Sequence, residues 1–193
     1  MKNKILILSI LFLTVYQKSF TQEIANDSIA LLYLQKAEIN ILGVGVNYEI
    51  PISKVFSLDS GVGFSGGAQI INNKINFQKN FFEPSLYFKS ELKYYYNRYI
   101  RVAKKLPTRN GEGSYFAIQN KFLSQSLFDS SSRLSNITLF ELHWGIQRNL
   151  YKNFLFNFHI GIGKSYDFTT RGNSNYTSLG VKVSYLFAAK NKL

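Results

Sequence analysis

Two histidines and a carboxylate open the chemical reading of this chain. His143 and His159 are its only histidines. Both fall on the polar side of segments that alternate apolar and polar residues, and Glu141 takes the polar position next to His143. If the hairpin between the two segments turns at Tyr151, the histidines face each other directly across it. Two imidazoles and a carboxylate can hold a divalent metal ion or act as a proton-sensitive switch. The plainer reading is interior packing and hydrogen bonding, with no metal and no cofactor.

A second set of polar positions carries charge. Glu49, Glu83, Glu91 and Glu141 share their face with Lys89, Lys93, Lys121 and Lys182. Paired carboxylates can do acid–base work. Mixed with lysines in a narrow space they read instead as a charge-paired plug, because buried charges are tolerated only when paired. A serine nucleophile would need a histidine and an orienting acid. Ser135 and Ser165 are available, but no spacing singles either out. The chain has no P-loop, HExxH or GxSxG motif. Without cysteine it has no disulfide, thiol chemistry or thiolate metal site. The expectation is a non-enzyme.

Strands must position these residues. From about residue 39 the pattern has period 2. Residues 39–50 and 55–65 flank a turn at Pro51–Lys54, and a loop runs from Gly66 to about Asn80. Residues 83–96 alternate most sharply. The basic stretch 97–113 leads to 114–128, where Leu123 and Leu127 break parity, as a bulge would make them do. Residues 136–148 and 154–164 flank the turn 149–153. After a loop over 165–175, the last strand ends near Phe187. That makes seven strands. Ser28 to Gln35 supplies an eighth, with an N-terminal helix there as the competitor, because a closed barrel leaves no edge exposed.

Glycine placement decides which face is inside. Gly43, Gly45, Gly61, Gly63, Gly145, Gly161, Gly163 and Gly180 all lie on the polar face. A soluble barrel turns its apolar face inward. A membrane barrel inverts this, with aromatic and aliphatic residues toward lipid and small or charged residues in the lumen.

Residues 1–21 read as a signal peptide, with Lys2 and Lys4 before an apolar run from Ile5 to Tyr16. Ser19 and Thr21 stand at −3 and −1 of a cleavage site. That run is too short to span a bilayer. Residues 22–193 are one domain. The chain carries 17 Phe, 13 Tyr and a net charge of +12. Removing Lys2, Lys4 and Lys18 leaves a charge of about +9, much of it in the 97–113 turn. For an exported protein such a surplus points to anionic lipid phosphates or cell-wall polymers, not nucleic acid, with a merely solvated loop as the plain alternative.

The stretches Tyr94-Tyr95-Tyr96-Asn97 and Trp144-Gly145-Ile146-Gln147-Arg148 resemble motifs of small outer-membrane β-barrel proteins of Bacteroidota. The end of the chain, Gly180 to Phe187, resembles the C-terminal strand signal read by the barrel-assembly machinery, except that six residues follow Phe187. The resemblance implies an eight-stranded OmpA/OmpX-like fold, the cell outer membrane as address, and no agreed activity.

The expected fold is therefore all-β: an eight-stranded antiparallel up-and-down transmembrane β-barrel. Its expected role is structural, or binding through loops. Outer-membrane lipid and lipopolysaccharide, and the barrel-assembly machinery during insertion, are the expected partners. The rival readings are a narrow porin-like channel and a soluble periplasmic lipid-binding barrel.

Overall fold

Period-2 alternation commits each segment to a pleated strand with one bulky and one small or polar face. In the computed structural model, which describes residues 30–72, 74–78, 84–126 and 134–190, these strands close into a barrel. The barrel strands are β1 (Tyr33–Asn40), β2 (Gly43–Pro51), β3 (Phe56–Ser65), β6 (Ser85–Tyr94), β7 (Gly113–Ser126), β8 (Ile137–Tyr151), β9 (Phe154–Asp167) and β10 (Asn173–Lys190). Each pairs antiparallel with its neighbours in chain order, and β1 closes on β10. Among the described residues no helix is long and apolar enough to cross a membrane.

The eighth strand exists: it begins at Tyr33, inside the expected span 28–35, and runs on to Asn40, while residues 30–32 are not in a strand and 28 and 29 lie outside the described residues. The segment expected as one strand over 39–50 is broken at Ile41–Leu42. This turn carries no Gly or Pro. It is made by Asn40, whose side-chain Oδ1 accepts the Leu42 N–H at 3.0 Å, an Asx turn. The Gly66–Asn80 loop also contains structure: a hairpin of β4 (Ala68–Ile71) and β5 (Lys74–Phe77). The basic stretch folds into helix α1 (Arg98–Ala103) and a 3-10 turn at Arg109–Gly111. The β6–β7 pairing slips between Ser85 and Tyr87, beside the parity break at Leu123. The expected signal peptide, Glu83 and Leu127 lie outside the described residues.

The two faces divide as the glycines imply. Outward residues include Phe64, Phe88, Phe116, Leu142, Ile162 and Leu179, all strongly exposed. Inward residues are charged, polar, small or tyrosine around the middle, with buried leucines and Ile137 joining them in the apolar clusters. Two apolar clusters close the barrel ends. Tyr87, Leu123, Ile137, Leu139 and Ala68 pack beneath the β4–β5 hairpin, and Tyr95, Tyr115, Leu31 and Ala117 fill the opposite end.

Candidate functional site in the barrel interior

Close packing of this interior depends on ring–glycine pairing. Tyr115 lies opposite Gly145, and a Cβ built on that glycine would come within 2.5 Å of the Tyr115 ring. Gly180 does the same for His159, whose ring occupies the space a side chain would take. Any larger residue at either position drives a ring off its place.

Charges occupy the middle of the barrel in two groups. In the first, Lys36 Nζ reaches Glu49 and Asp59, both at 2.7 Å. Lys93 Nζ bridges the same two carboxylates at 3.3 and 3.0 Å. Ser57 and Tyr95 donate to Glu49 at 2.6 and 3.0 Å. This ties β1, β2, β3 and β6 together. In the second, Lys89 holds Glu38 at 3.0 Å. Glu91 takes Lys182 at 3.1 Å and His143 Nε2 at 3.2 Å, joining β6, β8 and β10. Lys121 sits over the Tyr87 ring, 4.4 Å from its centroid. Five lysines thus face the five carboxylates Glu38, Glu49, Asp59, Glu91 and Glu141.

Sequence reasoning placed Glu49, Lys89, Glu91, Lys93, Lys121, Glu141 and Lys182 in this network, and all of them point inward. It missed Lys36 and Glu38, which lie past residue 35, the expected end of the first strand. Asp59, a third residue outside that set, also joins the network. The alternation Lys36, Glu38, Asn40 was the available signal.

The histidine pair needs a correction. His143 aligns with Gly161 and His159 with Gly145, so the two are diagonal across β8–β9. The cause is the turn. It is made at Lys152, in the left-handed region at φ 39°, and the register shifts between Asn149 and Tyr151, which moves the hairpin centre past Tyr151. The rings still meet, with centroids 4.5 Å apart and planes inclined at 32°. Glu141 Oε2 lies 3.7 Å from His143 Nδ1. Tyr176, Ser178 and Gln119 donate to its two oxygens at 2.8, 2.7 and 3.0 Å. Ser165 donates to the Ser174 carbonyl at 3.1 Å, and no hydrogen bond among the described residues joins Ser135 or Ser165 to a histidine.

A cavity of about 280 Å³ reaches this cluster from the β4–β5 end. Phe77, Leu42, Lys89, Lys121, Glu141 and His159 are among the residues that line it. The other end is shut. Arg98 is buried and donates to the carbonyls of Ala30 at 2.6 Å and Thr108 at 3.2 Å. Burial draws its guanidinium below the ordinary arginine value. Gln147 donates to the Asn110 carbonyl at 2.8 Å beside it.

No protein-family model, curated protein or solved structure matches the chain.

Proposed function

We propose that this chain is an outer-membrane β-barrel, exported by a cleaved signal peptide, with a structural or loop-mediated binding role and no catalysis of its own. One observation carries the reading: the barrel is inside out. Its charged side chains are buried and its large apolar ones are exposed. In water such an outer face is an aggregation liability. Against acyl chains it is the matched surface.

The dimensions agree. Along β9 the outward residues Phe154, Phe156, Phe158, Ile160 and Ile162 are apolar, and Lys164 ends the run. Eight steps of ~3.3 Å tilted by about 40° rise roughly 20 Å, close to the ~25 Å apolar band of such barrels. Aromatic contacts mark both rims. Phe56 stacks on Tyr94 and Phe154 meets Tyr185 at one end, while Tyr166, Phe168 and Phe122 cluster at the other. Such belts suit the headgroup level.

The interior argues against both rivals. A lipid-binding barrel needs an apolar cavity that holds an acyl chain, and this one, of about 280 Å³, is interrupted by the Lys89–Glu38 pair, Lys121 and Glu141. A diffusion channel needs open space, and this one is crossed by side chains from facing walls. Outer-membrane lipid and lipopolysaccharide are then the surrounding partners, and the barrel-assembly machinery the inserting one.

The test is membrane fractionation followed by boiled and unboiled electrophoresis and intact-mass measurement. The expected result is outer-membrane recovery, a heat-modifiable band and a mass beginning at Gln22. Recovery in the soluble periplasmic fraction without detergent overturns the reading.

A further inference from the structure

The cluster of Glu141, His143 and His159 has a charge problem that the rest of the interior solves elsewhere. Glu38, Glu49, Asp59 and Glu91 each hold a lysine within ion-pair distance. Glu141 does not; its ion-pair neighbour among the described residues is His143. The histidine can supply the missing charge only by carrying a proton on both ring nitrogens. Its Nε2 faces the Glu91 carboxylate, an acceptor, so Nε2 carries the ring proton. In the neutral ring Nδ1 is then a bare lone pair, directed at Glu141 Oε2 from 3.7 Å, too long for a hydrogen bond. Two acceptors face each other with nothing positive between them.

His159 adds a third donor atom. His143 and His159 are only 4% and 7% exposed. The Nδ1 atoms of both are buried without a hydrogen-bond partner. Buried nitrogens of this kind are rare, and a ligand is one of the few things that accounts for them. One donor atom from each of the three residues lies within 4.8 Å of the other two. A metal ion with bonds of about 2.0–2.1 Å draws its donors to roughly 3.3 Å apart, a closure of up to about 1.5 Å. The surroundings already have the form of an outer shell. Glu91 holds the far nitrogen of His143, and Tyr176, Ser178 and Gln119 hold Glu141. Carboxylate–histidine–metal arrangements are built this way.

We propose that Glu141, His143 and His159 bind a divalent transition-metal ion, reached through the cavity beside Phe77. Two imidazoles and one carboxylate suit zinc or copper and do not suit magnesium or calcium. The ion neutralises Glu141 and gives both orphaned nitrogens a partner. The cavity leaves room for water in the fourth position. Ligands from β8 and β9 would be clamped at mid-barrel, so the site is a staple across the hairpin with one side open to small molecules.

The test is titration of the purified, chelator-treated full chain in detergent with Zn²⁺, read by calorimetry and by melting temperature. One equivalent should bind saturably and raise the melting temperature, whereas Mg²⁺ should do neither. His159→Phe keeps a ring over Gly180 but has no nitrogen, and Glu141→Gln keeps the shape without the charge. Each should weaken Zn²⁺ binding at least tenfold. Lys164→Ala, on the outer face at the rim, should leave it within twofold. Heat-modifiable migration confirms that each variant is folded. No saturable binding by the wild type, or equal binding by His159→Phe, overturns the proposal. Because the titration is done in detergent, its outcome is independent of the membrane the barrel occupies.

Discussion

Single residues in this barrel are distributed in the opposite sense to those of a soluble domain, with charge buried and large apolar side chains exposed. Glu91 is fully buried and serves both Lys182 and His143. Leu92, its chain neighbour, points outward and is 38% exposed. In a soluble barrel the leucine would matter and the glutamate would be cheap to lose. Here Glu91→Leu leaves Lys182 as a buried charge without its counterion, a loss of about 3–5 kcal/mol. Leu92→Ala removes a side chain that faces the surroundings, so it should cost well under half as much. Denaturant unfolding of the two variants in the same detergent measures both. Equal losses would mean that the faces had been assigned the wrong way round.

At the scale of elements, what the sequence made legible is set by how local each signal is. Strand parity depends only on next-nearest neighbours, so the inward set and the outward set are readable, and so is the inward direction of both histidines. Register is not local. It depends on turns such as Ile41–Leu42, made by one asparagine side chain, and on the slip between Asn149 and Tyr151, which has no composition to mark it. The β4–β5 hairpin was also hidden. Its four-residue strands are too short to show a period, and they are held by tertiary packing of Ile70, Ile75 and Phe77 onto the barrel's apolar cluster. The basic turn was read as a charged surface. In the structure Arg98 and Arg101 are spent on backbone carbonyls, including Pro107 at 2.6 Å, which leaves Lys104 and Lys105 to face outward. The refined register also shows where the apolar band is deepest. Phe156 lies beside Arg148, near one rim. Leu142 aligns with Ile118 and Ile162 and sits mid-band. Leu142→Arg should therefore cost about 2–4 kcal/mol in lipid vesicles or block assembly. Asn175→Arg, level with Lys164 at the far rim, should cost less than about 1 kcal/mol. Urea titration of vesicle-inserted protein checks the pair, and equal costs would remove the apolar band from the argument.

For the whole molecule the question is whether a closed barrel with a charged interior conducts. Eight strands enclose a lumen just wide enough for side chains to fill it. Three barriers lie in series here. Tyr95, Tyr115, Arg98 and Gln147 shut one end, with Tyr95 and Tyr115 rings 5.5 Å apart. The Lys36–Glu49–Asp59–Lys93 group spans the middle with contacts of 2.7 to 3.3 Å. The β4–β5 hairpin covers the other end, where Phe77 meets Tyr176 at 5.9 Å. The cavity behind that hairpin reaches Lys89 and His159, but it stops short of the middle group. An ion crossing the barrel would have to separate buried pairs from four strands and strip its own hydration while doing so, and each desolvated charge costs several kcal/mol. The buried ion-pair group is a barrier on this path. The purified wild-type barrel in planar bilayers should therefore show no steady ohmic steps at moderate voltage, even in molar salt, which screens exposed pairs but reaches buried ones poorly. Regular single-channel steps from the wild type, absent from a heat-denatured sample, would show that the ion-pair group opens and that the interior is a gate and not a plug.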